Sequence, residues 1–257
     1  MILDEIIESK KIEVALHKRR TSVSELESAI KSLPVVRNFR EALGSVPCAI
    51  IAEVKRFSPS KGLLHNNFQY RNIAIQYEKN GAAAISVLTD EKYFGGHCDH
   101  LLEIRQAVNL PLLRKDFIID PYQIIEARAM GADALLLITR ILGGELLGDY
   151  IDLSEGLGLV PLVEVHTRKE LDVALGCGAG IIGINNRNLG TFSTSFEASL
   201  ALAPLVPPGT FVISESGISS REDIETLMNY GIHIFLVGEA LMRSEDAGKK
   251  LRELLGK

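Results

Sequence analysis

Cysteine, long apolar runs and blocks of like charge are all scarce in this chain, and each shortage removes a class of protein. Only Cys48, Cys98 and Cys177 are present. They are odd in number and far apart, so they form no CxxC pair and no disulfide framework, as suits a reducing compartment. No apolar run approaches the ~20 residues of a membrane helix. The opening MILDEIIESKK carries acidic residues where a secretory leader needs positive charge. A cytoplasmic location without membrane attachment is expected. The 28 Lys and Arg residues face 33 Asp and Glu, a net charge of −5, with no long run of one sign. Wholesale nucleic-acid binding is therefore disfavoured, while a basic pocket for a small anion is not.

Metal-ligand spacing is missing as well. His17, His65, His166 and His233 show none. His97-Cys98-Asp99-His100 offers four consecutive ligand types, which cannot all converge on one ion, so this segment reads as a polar helix start after Gly95-Gly96. Neither a metal nor an organic cofactor is expected. No GxGxxG turn follows the first apolar strand, which weighs against a doubly wound dinucleotide fold.

What the chain does contain is a repeated alternation. Its 257 residues match the about 250 of one (β/α)8 barrel. Hydrophobic content of 46% with 24% charge is that of an ordinary globular protein. The first strand begins AIIAEVK at Ala49. Further short apolar strands are predicted at Ala83–Thr89, Leu112–Lys115, Ala134–Ile138, Val160–Val165, Ile181–Asn185, Phe211–Ser214 and Ile234–Val237. Helical stretches fall between them: one ending at Asn80-Gly81, then Asp99–Ala107, Tyr122–Met130, Glu145–Leu153, Arg168–Leu175, Phe196–Ala203 and Arg221–Asn229. Continuous apolar strands are those of a sheet covered by helices. Eight of them in this length predict a closed parallel barrel.

Residues 1–48 read as a helical extension. Ile2, Leu3, Ile6 and Ile7 share a helical stripe, and Ser22 with Glu25 has capping-box spacing. Lys10, Lys11, Lys18, Arg19 and Arg20 make the segment basic, either as a solvated face or as a lid offering cations to an anionic ligand. One domain over 1–257 is expected, with 1–48 as extension or lid and 49–257 as barrel.

In such a barrel the chemistry sits where strands run into their following loops. Those positions hold Glu53 and Lys55, then Lys115, Glu164, Asn185 with Arg187, and Glu215 with Ser216 and Gly217. Polar groups from five strands thus meet at one mouth. Lysines beside glutamates there suit acid–base work, and Lys55, Lys115 and Arg187 would neutralise an anionic substrate. Gly217 and Gly238 follow the seventh and eighth strands, where backbone N–H groups of this fold often hold phosphate.

The ordered set IAEVKRFSPSKG, VLTDEKYFGG, LLRKDFIID, LVEVHT, IGINNRNL, SESGI and VGEALMR resembles the indole-3-glycerol phosphate synthase family over nearly the whole chain. The resemblance implies a TIM barrel with an N-terminal helical extension. It also implies conversion of 1-(2-carboxyphenylamino)-1-deoxyribulose 5-phosphate to indole-3-glycerol phosphate, carbon dioxide and water. By this resemblance Lys115 is the general acid of ring closure. Lys55 and Glu164 match the positions of the acid and base that follow, and Glu53 either orients Lys55 or joins the dehydration. Asn185, Arg187 and Ser216 complete the catalytic set. Lys55, Ser58, Gly217, Gly238 and Glu239 match the phosphate site, Glu239 through its backbone N–H, with its carboxylate turned away from the phosphate. The implied partner is a small molecule bearing phosphate and carboxylate. A monomer with no fused partner is expected, with at most weak association with other enzymes of the pathway.

Phe57, His97, Ser195 and Arg140 depart from the family's usual residues without removing a catalytic position. Two rivals are weaker. A phosphoribosylanthranilate isomerase would place Cys and Asp at the mouth, whereas Cys48 precedes the first strand. A non-catalytic barrel should have lost some of Lys55, Lys115 or Glu164, and all three are present.

Overall fold

The structure, a computed structural model, describes residues 2–59, 61–65, 68–188 and 191–257. Ser60 of the SPSKG loop and Leu189 of IGINNRNL lie outside the described residues, as does Met1. Eight parallel strands close into a barrel: β1 Ala49–Val54, β2 Ala84–Leu88, β3 Leu112–Lys115, β4 Ala134–Ile138, β5 Val160–Val165, β6 Ile181–Asn185, β7 Phe211–Glu215 and β8 Ile234–Val237. Each strand pairs with its neighbours in the chain, and β1 pairs with β8 in the register Ala49–Ile234 to Ala52–Val237. Closure rules out the open doubly wound sheet. Five strands have the bounds expected; β2 is one residue shorter at each end, and β7 runs one further to Glu215.

The helices are α1 Ile2–Arg20, α2 Val23–Ile30, α3 Phe39–Gly44, α4 Tyr70–Lys79, α5 Glu91–Phe94, α6 Cys98–Ala107, α7 Pro121–Ala129, α8 Thr139–Gly156, α9 Arg168–Gly176, α10 Glu197–Leu202, α11 Arg221–Met228, α12 Glu239–Met242 and α13 Ala247–Leu255. Helix α8 starts six residues before the expected Glu145, because a turn of helix leaves β4 directly and breaks at Gly143 (φ 67°) before continuing. His97 N-caps α6 by accepting the Asp99 N–H at 3.1 Å, as the polar helix-start reading requires. Ser22 and Glu25 form the capping box of α2. Ser195 accepts the Glu197 N–H at 3.3 Å and so serves the start of α10. Among the described residues no helix is long and apolar enough to cross a membrane.

Side-chain parity decides what goes inside. Along a strand, alternate residues face opposite sides. Ala49 and Ile51 belong to the interior cluster with Leu113, Leu162, Ile181, Ile213 and Ile234. Ile50, Ala52 and Val54 pack outward beneath the helices. Two residues beyond four of these interior groups stands a charged one: Glu53 after Ile51, Lys115 after Leu113, Glu164 after Leu162 and Glu215 after Ile213. The parity that fills the barrel thus delivers its charges to the C-terminal mouth. At the opposite end Phe39 and Leu43 of α3, both buried, seal the interior against Ala49 and Ile51.

Candidate active site at the barrel mouth

All eleven residues singled out from the sequence line one cleft at this mouth: Glu53, Lys55, Ser58, Lys115, Glu164, Asn185, Arg187, Ser216, Gly217, Gly238 and Glu239. Its centre is Lys115, whose Nζ lies 2.8 Å from Glu215 and 3.2 Å from Glu164. Burial works against the ammonium, but the carboxylates of Glu215, Glu164 and Glu53 outweigh it and hold the lysine above its ordinary pKa. Glu164 is held below its ordinary value. Burial opposes this too, but Lys115, His166 and a side-chain hydrogen bond from Asn185 prevail. Glu215 behaves oppositely. Burial, with repulsion from Glu164 and Glu53, pushes it up to about 7 against the pull of Lys115. Its Oε1 is buried and meets no hydrogen-bond donor among the described residues.

Glu53 and Lys55, two apart on the same parity, pair at 2.5 Å. Asn185 accepts the backbone N–H of Arg187 at 3.0 Å, and Arg187 reaches Glu239 at 3.2 Å. Glycines make room for this crowding. A methyl group on Gly183 would collide with Oε1 of Glu215, and one on Gly238 would collide with Oε1 of Glu53. Ser216 and Gly217 both sit in the left-handed region (φ 67° and 87°), turning the chain sharply off β7. For the non-glycine Ser216 this costs of order 1 kcal/mol, held by the surrounding structure.

Apart from Asp116 and Glu215, the rest of the lining is apolar and includes Leu88 and Leu136 from the barrel, Phe94 from the end of α5, Phe117 after β3, and Ile2, Leu3 and Ile6 from α1. The sequence does not mark these residues, because a site-lining leucine carries no signal that separates it from core. The sequence puts Glu215 at the mouth without a catalytic role; its inward parity with Lys115 and Glu164 is the signal that brings it into the site. Helix α1 covers the cleft with hydrocarbon. Three of its basic side chains pair with carboxylates: Lys10 with Asp116, Asp90 and Glu13, Lys11 with Glu8, and Lys18 with Asp120. Arg140 likewise pairs with Glu170 at 3.0 Å, away from the mouth. The Glu239 carboxylate lies within the lining, facing Arg187, Arg243 at 3.6 Å and Lys61 at 3.9 Å.

Among the described residues, His17, Cys98 and Glu126 lie close enough to share a metal ion. Glu126 is already held by Arg114 at 2.9 Å and His17 at 2.8 Å, so an added cation would meet a guanidinium. The set is an ion-pair cluster outside the cleft.

Fold and cleft together define a barrel enzyme that sets buried ammonium groups against carboxylates under an apolar cover. A family model for indole-3-glycerol phosphate synthase matches residues 3–254. The indole-3-glycerol phosphate synthase of Alkaliphilus metalliredigens is 46% identical over 255 residues, 99% of this chain and 98% of its own. That of Endomicrobium trichonymphae is 44% identical over 256 residues, 99% of each. The chain belongs to the indole-3-glycerol phosphate synthase family. Its activity is that of a decarboxylating carbon–carbon lyase of tryptophan biosynthesis, which closes, decarboxylates and dehydrates 1-(2-carboxyphenylamino)-1-deoxyribulose 5-phosphate to indole-3-glycerol phosphate. Solved structures share the fold at low identity. One is a chain of the tryptophan synthase α2β2 complex from Pyrococcus furiosus (TM-score 0.61, 16% identical, 82% of this chain and 98% of that one). Another is a thiamine phosphate pyrophosphorylase from Pyrococcus furiosus (TM-score 0.62, 17% identical, 85% and 96%).

Proposed function

We propose that Lys115 is the general acid of ring closure, and the observation that carries this is its seat between Glu215 and Glu164 on the inward parity of β3. The ring carbon bearing the carboxylate attacks the ketone carbon, and the ketone oxygen gains negative charge. An ammonium held above its ordinary pKa is always loaded with a proton, and it surrenders that proton to the alkoxide as it forms. Loss of carbon dioxide returns the electron pair to the ring. The remaining hydroxyl leaves as water with a proton from Lys55, which Glu53 orients through their ion pair. A proton from the methylene carbon beside the ring nitrogen passes to Glu164, which Asn185 holds in place, so the ring keeps its N–H and becomes indole. Glu215, able to hold or release a proton near neutrality, restores the charge on Lys115.

The phosphate end lies on the turns after β7 and β8, against the backbone of Gly217, Gly238 and Glu239, with Ser58 and Lys55 alongside. Ser216 shapes that turn. Arg187 is drawn between the phosphate and Glu239, whose carboxylate repels the phosphate and turns toward the cations around it. Helix α1 is a lid that supplies apolar cover, so the charges beneath act in a water-poor site. The three cysteines, free of disulfides, fit action in a reducing cytoplasm.

The chain contains no tryptophan, so the indole product is read against tyrosine background alone. Chelator-treated protein given the carboxyphenylamino substrate should develop indole fluorescence. Lys115→Met should lower turnover by roughly 100-fold or more with the fold intact. Turnover near wild type in that variant removes Lys115 from the acid role.

A further inference from the structure

Helix α1 buries only Ile6, Lys10 and Val14 among its described residues, spaced four apart along one stripe. The middle of its docking face is therefore an ammonium, 1% exposed. Nζ of Lys10 lies 2.8 Å from Asp116, 3.0 Å from Asp90 and 2.7 Å from Glu13, so its three N–H donors meet three carboxylates. Burial opposes the charge, but Asp116, Asp90 and Glu13 outweigh it and hold the ammonium above its ordinary pKa.

The two aspartates are anchored at strand ends next to the cleft. Asp116 follows Lys115 directly, accepts the Phe117 N–H at 2.8 Å and the Thr89 hydroxyl at 2.6 Å, and also pairs with Arg114. Asp90 follows Thr89 and N-caps α5 through the Tyr93 N–H at 2.8 Å. Phe117 and Phe94, which these contacts position, both line the cleft, with ring centroids 5.9 Å apart. One ammonium thus ties the helix bearing Ile2, Leu3 and Ile6 to the segments bearing Phe94, Lys115 and Phe117. A buried ion pair adds little net stability but strongly penalises any arrangement that parts it. Sliding or rotating α1 by one residue would leave Lys10 buried without its aspartates and take the Lys10 counter-charge from both of them, whereas an apolar stripe would tolerate such a shift.

We propose that Lys10 is a positioning residue that pins α1 in a single register across the ends of β2 and β3, setting both the lid over the cleft and the seat of Lys115. This rests on α1 acting as the lid. The test compares steady-state kinetics of the full chain as wild type, Lys10→Met, Asp90→Asn and the lid control Ile6→Ala, with amide hydrogen exchange of each. Lys10→Met should raise KM by roughly 10-fold or more with a smaller fall in kcat. It should speed exchange over residues 2–20 while the barrel strands keep their protection. Asp90→Asn retains the α5 cap, since asparagine caps as well as aspartate, and should shift KM the same way. In combination with Lys10→Met it should add nothing further. Should Lys10→Met not fold, Asp90→Asn decides, and a wild-type KM there overturns the pin. A wild-type KM in Lys10→Met beside a raised KM in Ile6→Ala overturns the pin and leaves the lid standing. Wild-type KM in both overturns the lid reading and the pin together. Additive effects of Lys10→Met and Asp90→Asn also overturn it, because they would show that the two residues do not act as one contact.

Discussion

At the scale of single residues, the site depends as much on two missing side chains as on those present. Gly183 and Gly238 stand on inward-facing positions, and the space a methyl group would fill is taken by the carboxylates of Glu215 and Glu53. Gly183→Ala should therefore expel Glu215 from its contact with Lys115. We expect kcat to fall by roughly 10- to 100-fold, with KM much less changed because the turns proposed to hold the phosphate lie elsewhere. Near-normal kcat in a folded Gly183→Ala protein would contradict that role for Glu215. The same residues show what the sequence conveys. Glu53, Lys115 and Glu164 stand out as charges ending apolar runs. Gly183 reads only as a weak spot in a strand until its parity with Asn185 is set against Glu215 on the neighbouring strand, which pairs Gly183 with Ile213.

At the scale of elements, the barrel strands were legible because continuous burial on both faces writes itself as an unbroken apolar run. Helix α1 was legible as a helix but not in its use. Lys10 stands among other polar residues in the chain, and only tertiary contact reveals that it is the centre of the buried stripe. Leu136, Phe94 and Phe117 were invisible as site residues for the converse reason, since lining a dry cleft and filling a core demand the same chemistry. The turn after β7 carries its own prediction. Gly217 has φ 87° and its missing Cβ would come within 3.2 Å of Thr194, so Gly217→Val must bend the turn away from its course. A β-branched residue is a strong outlier there. KM should rise more than kcat falls, in steady-state assays of the substrate. Unchanged KM would move the phosphate subsite off this turn.

For the whole molecule, the buried charges beneath α1 make stability depend on acid. Asp116 is held down to about 2 from its usual 3.8: burial alone would raise it, but Lys10 and Arg114 prevail. A carboxylate with a depressed folded pKa contributes stability above its unfolded value and loses that contribution as pH falls through the folded one. The wild type should lose about 2 kcal/mol from this group between roughly pH 4 and pH 2. Asp116→Asn should be less stable at pH 5 and fall less steeply below it, as urea unfolding midpoints across pH 2–5 will show. Parallel curves for the two proteins would remove Asp116 from the acid response.

The stopper formed by Phe39 and Leu43 at the far end of the barrel has a consequence for traffic. A filled interior with a sealed base has no rear exit. Among the described residues the cleft opens at the mouth that α1 overhangs, so the bulky phosphate ester arrives, and indole-3-glycerol phosphate, carbon dioxide and water depart, through that doorway. Entry of the next substrate therefore waits on clearance of the last product, and the frequency at which that doorway opens sets a ceiling on throughput however fast the bonds beneath it are remade.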